Sequence, residues 1–550
     1  MTKVYEALAD AFIAEGTTHI FGMTGDANMH WMYAMAERGA TLFEARHEGS
    51  GLAMADGWAR GAKKPGVAST TSGPGVTQLA TSLVCASRAR TPLVIFSGEV
   101  ALGDLGATQY LDQAKFADGV ECGFVQVSSP ARAQEAVQRA FWLARTTSRP
   151  VMVSAPTNVQ QAEFDGAPVY IPSTELIDSA LAQPAPERID HAVKILRESE
   201  KVVLLVGKGA RAADVGDLVL ELQTKTNALI ATTLQTKNWL RDQNEYFAGI
   251  SGLYGTATAH ELLQEADCLV AIGASLNHFT TEHGYLYPAA RIIHLDHADQ
   301  VVTGTGQPVD CYVRGDARPS LEAIIKALPD TPEHGDGYHT VDIAAALRDA
   351  DSLKEDFHRE DGRLDPREVI LALDRLAPAD LPLVMGSGHQ TDFGTMLFTR
   401  PREIVSNYGL FGAIGQAPLL TMGWSAARAQ PTFVVEGDAS FIMHLAEFDT
   451  ACRYQWPVLV VVMNDEALGA EFHKSGAHGL NPALTAIPSP DLGAAAVALG
   501  GKGTMVRTIA ELETAVQAFI ANPEPTVLDV RITREVISIP YRRLWYAEEV

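Results

Sequence analysis

Residues Val434 to Asn464, reading VVEGDASFIMHLAEFDTACRYQWPVLVVVMN, leave this chain few folds to choose from. An apolar run ends in Glu436-Gly437-Asp438-Ala439-Ser440. A segment with Phe441, Leu445, Phe448 and Cys452 at helical spacing follows, and a second apolar run stops at Asn464-Asp465. Strand, turn, helix and strand make a βαβ unit, which belongs to a parallel sheet covered by helices. Asp438 and Asn464 then sit at the carboxyl ends of strands, where open parallel sheets hold their ligands. A carboxylate and an amide oxygen beside a turn of backbone N–H groups suit Mg²⁺ together with phosphate oxygens. Asp and Asn also end strands in α/β proteins with no such ligand, so a second stretch has to decide.

That stretch lies near the start of the chain. Phe43-Glu44-Ala45-Arg46-His47-Glu48-Gly49 ends an apolar run and opens a helix of small residues, Gly51 to Arg60. Val67 to Thr71 and a Ser72-Gly73-Pro74-Gly75 turn come next. Taken together, the two stretches resemble the thiamine-diphosphate (ThDP) enzymes of the acetolactate synthase and 2-oxoacid decarboxylase superfamily, in the right order and over nearly the whole chain. In that family an Arg-His-Glu motif carries the cofactor-activating glutamate, and a Thr-Ser-Gly-Pro-Gly turn follows it. A Gly-Asp-Gly motif and a later Asn hold metal and diphosphate, and here Asn464 follows Asp438 by 26 positions. The chain departs from the pattern twice. Ala439 stands where Gly is usual, and Asp465 where a second Asn is common.

The resemblance implies a role for particular residues. Glu48 would hydrogen-bond the cofactor's pyrimidine ring and promote loss of its reactive proton. Gly437, Asp438, Ala439 and Ser440 would hold the diphosphate, as would Gly388, His389 and Gln390 after the strand Leu381 to Met385. In the segment Gly409 to Gly415, Gly412 would touch the cofactor and Ile414 would wedge between its two rings. Asp438, Asn464 and the Glu466 carbonyl would bind Mg²⁺, with Leu468 and Gly469 completing that loop. Candidates for the substrate pocket are Asp26 and Asn28 after His19 to Gly22, Gln113, and His473 beyond the metal loop.

Alternating helices and short apolar strands divide the chain into three α/β segments, each with a parallel sheet flanked by helices: 1–163, 190–327 and 365–550. Phe164 to Arg188 and Leu328 to Arg363, rich in Pro or in Pro and Gly, read as linkers. The three segments match the family's pyrimidine-binding, central and diphosphate-binding domains. At 550 residues with 47% hydrophobic and 20% charged, the chain can bury large cores. A net charge of −24 argues against nucleic acid and anionic membrane as partners. Five scattered cysteines, Cys85, Cys122, Cys268, Cys311 and Cys452, make neither a disulfide framework nor a zinc site. With no signal-like or membrane-length apolar run, a cytoplasmic protein is expected.

Two features bear on the reaction. No histidine stands where simple decarboxylase relatives carry one, since those places read Gln109 to Gln113 and Ser69-Thr70-Thr71. An acetolactate-synthase-like carboligase acting on a small 2-oxoacid is therefore expected. A 2-hydroxyacyl-CoA lyase or oxalyl-CoA decarboxylase is the alternative, and a simple 2-oxoacid decarboxylase is third. A noncatalytic partner subunit would have no reason to keep Glu48, Asp438 and Asn464 together. In the central segment, Gly207-Lys208-Gly209 after a strand and Asp296 leave FAD, the ADP part of CoA, or no ligand open, because a stretch that carries Arg in flavin-binding relatives reads Gly273 to Phe279 without one. By resemblance the active sites lie between subunits of a homodimer or homotetramer. The aromatic, basic tail Ile537 to Tyr546 would close the site or pack on a neighbouring subunit.

Overall fold

A computed structural model describes residues 2–166, 169–177, 180–297, 308–333, 335–350, 355–406 and 410–548; Gly409 lies outside them. Its frame is three sheets of six strands each. The first holds β1 (His19–Gly22), β2 (Thr41–Glu44), β3 (Gly66–Thr70), β4 (Leu93–Glu99), β5 (Gly123–Gln126) and β6 (Pro150–Pro156), in the order β2-β1-β3-β4-β6-β5. The second holds β7 (Val202–Val206), β8 (Leu229–Thr232), β9 (Phe247–Ile250), β10 (Cys268–Ile272), β11 (Arg291–Asp296) and β12 (Cys311–Arg314), in the order β12-β11-β10-β7-β8-β9. The third holds β13 (Leu383–Met385), β14 (Ile404–Ser406), β15 (Thr432–Gly437), β16 (Val458–Asn464), β17 (Lys502–Val506) and β18 (Thr526–Arg531), in the order β14-β13-β15-β16-β18-β17.

Every pairing between these strands is parallel. Continuous apolar runs explain why. Val202–Val206 and Val458–Asn464 are buried at every position, as strands covered by helices on both faces must be. The first and third sheets share one strand order, while the central sheet has the order of dinucleotide-binding folds.

The stretch from Leu328 to Arg363, expected to be a linker, contains a helix, Val341–Ala350. Leu347 of that helix joins the central core. Its amphipathic repeat is too short to stand out beside the Pro- and Gly-rich residues that precede it. The other expected linker is tied down as well. Tyr170 Oη and the Ser173 N–H both donate to Glu15 Oε1, at 2.6 and 2.7 Å. Among the described residues no helix is long and apolar enough to cross a membrane, and all five cysteines are free.

The outer domains meet through two helices, Glu48–Ala62 and Gln416–Arg428. They cross at glycines. A Cβ on Gly57 would lie 2.1 Å from the Leu420 carbonyl oxygen, and one on Gly423 would lie 1.8 Å from that of Met54. Beside this crossing the Glu447 carboxylate accepts the Arg46 N–H at 3.0 and 3.1 Å, and Tyr454 Oη accepts the Glu44 N–H at 2.9 Å. The Arg-His-Glu stretch is thus anchored on the domain that carries Asp438.

Candidate functional site

The strand order of the third sheet reverses between β13 and β15, and such a reversal opens a crevice at the strands' carboxyl ends. Three connections converge there. After β13 the chain turns through Ser387-Gly388 into the helix His389–Leu397, and after β15 it enters the short helix Asp438–Met443. After β16 it loops through Asp465 to Leu468 into the helix Gly469–Ala477. Together they line one pocket, into which Ile414 also projects. Gly388, His389, Gln390, Gly437, Asp438, Ala439, Ser440, Leu468 and Gly469, all expected to touch the cofactor, form its walls.

Three carboxylates at the pocket are held away from water. Asp438 is only 3% exposed and makes no ion pair among the described residues. Burial, and then the nearby Asp465, push its carboxyl up to about 7. Burial also pushes Asp465 up to about 6 and Glu436 to about 7. Glu436 Oε1 accepts hydrogen bonds from Gln390 Nε2 at 3.1 Å and from the Gly437 N–H at 2.9 Å, while Oε2 is buried with no partner. Carboxylates crowded out of water without counter-charges favour a bound cation.

Several expected residues are placed elsewhere. Asn464 is fully buried but does not line the pocket. Its Nδ2 donates to Asp529 Oδ1 at 2.7 Å and to Ser489 Oγ at 3.1 Å, and its Oδ1 accepts the Glu466 N–H at 3.2 Å. The Glu466 carbonyl is also engaged, by the Ile487 N–H at 2.9 Å and by Arg534 at 3.3 Å. Asp465 and Ala467, one position further on in each case, face the pocket instead. Gly412 is exposed and outside the lining.

Among the substrate candidates, Asn28 staples its own loop. It accepts the Gly25 N–H at 2.7 Å and donates to the Met23 carbonyl at 3.0 Å and to Ser69 Oγ at 2.9 Å. Gln113 accepts from Ser97 Oγ at 2.9 Å and donates to the Gly98 carbonyl at 2.8 Å. Both are spent on structure and buried. Asp26 is exposed. His473 sits behind the wall, its ring centroid 4.4 Å from that of His389, and burial pushes its imidazole down to about 4.

Glu48 opens its helix after His47, whose Nδ1 accepts the Gly49 N–H at 3.1 Å. It faces the Ser72 to Gly75 turn, where a Cβ on Gly75 would come 3.3 Å from Glu48 Oε1. No described residue of the first domain lines the diphosphate-side pocket, and Glu48 is not among its walls.

The tail packs where sequence spacing cannot show it. The Ser538 N–H donates to His389 Nε2 at 3.0 Å, and Ser538 Oγ donates to Asp392 Oδ2 at 2.7 Å. Tyr254 Oη, from the central domain, donates to Asp392 Oδ1 at 3.1 Å. The helix Ile539–Tyr546 places Tyr541 against His389 and reaches back through Arg543 to the Gly255 carbonyl, at 2.7 Å. These contacts join residues far apart in sequence, and no local motif announces them.

The central sheet has its own switch point, between β7 and β10. A cleft of about 740 Å³ opens there, within the range of small-molecule sites. Arg60, Arg88, Arg90, Lys208 and Arg318 line it, with Asp296 at the end of β11. Burial, followed by Arg60, pushes the Lys208 amine down to about 8.

Fold and site together define an α/β protein with a pocket of buried carboxylates at a parallel sheet's reversal point. Comparison with known proteins narrows the class. Three family models match in succession: the thiamine pyrophosphate enzyme N-terminal TPP binding domain over residues 2–122, the central domain over 189–324 and the C-terminal TPP binding domain over 387–530. Similar proteins include the acetolactate synthase large subunit of Parasynechococcus marenigrum, 29% identical over 96% of this chain and 87% of the relative. A probable acetolactate synthase large subunit of Methanocaldococcus jannaschii is 26% identical over 96% and 92%. Sulfoacetaldehyde acetyltransferase of Castellaniella defragrans is 27% identical over 98% and 94%. The chain belongs to the thiamine-diphosphate-dependent enzymes.

Proposed function

We propose that this enzyme is a ThDP- and Mg²⁺-dependent carboligase that takes a small 2-oxoacid as donor, acting in the cytoplasm as a homodimer or a larger even assembly. The observation that carries the reading is the pocket formed by Ser387 to Gln390, Gly437 to Ser440, Asp465 and Ala467 to Gly469, in a chain that three thiamine enzyme domain models match over 2–122, 189–324 and 387–530. The pocket's donor set fits the cofactor's head. Asp438 has no ion pair among the described residues, and Ser387, Ser440 and Asp465 add oxygens to walls that also carry Phe393, Ile414 and Met463, a mix that suits Mg²⁺ and a diphosphate beside an apolar ring.

When bound, ThDP supplies a carbon nucleophile and an electron sink for cleaving the bond beside a carbonyl. The chain's own groups do the rest. Glu48 would face the cofactor's pyrimidine ring and hold a proton there as its general acid–base partner. Ile414 would pack against the cofactor, and His389 and Gln390 would hold its phosphates. Glu48 does not line the pocket of its own chain, and in the assembly we propose it would serve the pocket of a partner subunit.

A second reading, a C–C lyase acting on an acyl-CoA, draws support from the five cations around the central cleft, which suit a nucleotide's phosphates. Releasing and identifying the small molecules bound to the purified protein separates the two readings. Flavin points to the synthase, CoA or ADP to the lyase. With pyruvate, ThDP and Mg²⁺, the wild-type chain is expected to form acetolactate. Glu48→Gln should lower turnover by about 10²-fold or more while ThDP stays bound, and unchanged turnover would refute the role given to Glu48.

A further inference from the structure

We infer that Ser538, in the tail, is a positioning residue: its backbone N–H fixes which nitrogen of His389 carries the proton, so that the imidazole meets the pocket as an N–H donor. What the ring would donate to, a diphosphate, rests on the cofactor reading above; where its proton sits does not. His389 opens the helix His389–Leu397 and lines the pocket. Its ring is boxed in by Phe393, Tyr541 and His473, with centroids 4.9, 4.9 and 4.4 Å away. The Ser538 N–H reaches Nε2 at 3.0 Å. A backbone N–H can only donate, so Nε2 must present a lone pair. Burial pushes the imidazole well below its usual range, which keeps the ring neutral with a single proton. That proton therefore sits on Nδ1. Nδ1 makes no hydrogen bond among the described residues, so its N–H is the one polar group of the ring left for a ligand in the pocket. The opposite tautomer would set a lone pair against a phosphate oxygen.

Ser538 is itself held in place. It is buried and caps the helix Ile539–Tyr546, its Oγ accepting the Tyr541 N–H at 3.4 Å. The same Oγ donates to Asp392 Oδ2 at 2.7 Å, and Asp392 lies one turn beyond His389 on the helix His389–Leu397. Ser538 thus grips positions i and i+3 of that helix, one with its N–H and the other with its hydroxyl. The second oxygen of Asp392 accepts Tyr254 Oη from the central domain at 3.1 Å, so the carboxylate that seats Ser538 is fixed from two sides. The tail is joined to the pocket wall at the one atom that decides the ring's tautomer.

The test reads the proton directly. In the full-length, cofactor-free chain carrying isotope-labelled histidine, the imidazole nitrogen NMR shifts report the tautomer, and His389→Gln identifies the signals of this ring. Wild type is expected to carry the proton on Nδ1. Ser538→Pro suits the local backbone, since φ there is −66°, and removes both N–H and hydroxyl, whereas Ser538→Ala removes the hydroxyl alone. The difference between the two variants is the N–H. Ser538→Ala should keep the wild-type tautomer, and Ser538→Pro should move the proton toward Nε2. Titrated with ThDP in the presence of Mg²⁺ and followed by tryptophan fluorescence, Ser538→Pro should bind about tenfold more weakly than Ser538→Ala, the size of one hydrogen bond to a charged group. A tail that only packs would lower the thermal midpoint of both variants and leave the tautomer unmoved. A wild-type ring protonated on Nε2, or an unchanged tautomer in Ser538→Pro, overturns the inference while the cofactor reading stands. The expected tautomers in a wild-type chain that binds no ThDP overturn the cofactor reading and leave the proton where it is placed here. Should Ser538→Pro fail to fold, the wild-type ring decides alone.

Discussion

Asp392 is fully buried, accepts hydrogen bonds from Ser538 and Tyr254, and still has its carboxyl pushed up to about 7 by burial. An acid held above its unfolded value binds more protons folded than unfolded between the two values. Its contribution to stability is therefore full below about pH 4 and is lost as pH rises through 7. Asp392→Asn should flatten the fall in unfolding free energy between pH 5 and pH 8 by about 2 to 3 kcal/mol, measured by denaturant titration across that range. A slope equal to wild type would show that another group titrates. At this same scale the sequence was least legible. Asn28 and Gln113 have the polar character of ligands, but their partners Ser69 and Ser97 are reached only across the fold. Asn464 and Asp465 are adjacent, and which of them faces the pocket depends on where β16 stops, a boundary no motif states.

Among elements, the two helices between the outer domains are the tightest joint. Gly423→Ala puts a methyl group against the Met54 carbonyl with no flexible side chain to yield, so the helices must part. We expect a loss of about 3 kcal/mol or more, read by chemical denaturation, against about 1 kcal/mol or less at the exposed Gly119, which has open space around it. The βαβ unit from Val434 to Asn464 was readable from sequence because its parts are contiguous and all its strand positions but Gly437 are buried, although the one helix expected is two short ones, Asp438–Met443 and Glu447–Arg453. The helix Val341–Ala350 was not, because its stability comes from Leu347 packing on a core built elsewhere. The tail helix was recognisable as aromatic and basic, yet its seat on His389 required the folded chain.

For the whole molecule, the separation of Glu48 from the Asp438 pocket makes a testable statement about assembly. Glu48→Gln and Asp438→Ala should each be inactive alone. Co-expressed, they should regain about a quarter of wild-type activity, since half the dimers are mixed and each mixed dimer holds one intact site. No recovery would place both groups of a site in one chain. The three-domain frame was legible from alternating periodicity, but the difference between the central sheet and its neighbours was not, since both strand orders arise from the same βα alternation. The shared order of the outer sheets has a further result. Glu48–Ala62 lies between β2 and β3, and Gln416–Arg428 between β14 and β15, so equivalent helices of two like domains face each other within one subunit. Each subunit is thus pseudo-symmetric, with Gly57 and Gly423 meeting backbone from opposite sides of the pair. Neither half can drift alone: enlarging a residue on one helix demands an answering change on the other, and the two halves of the chain are bound to evolve as partners.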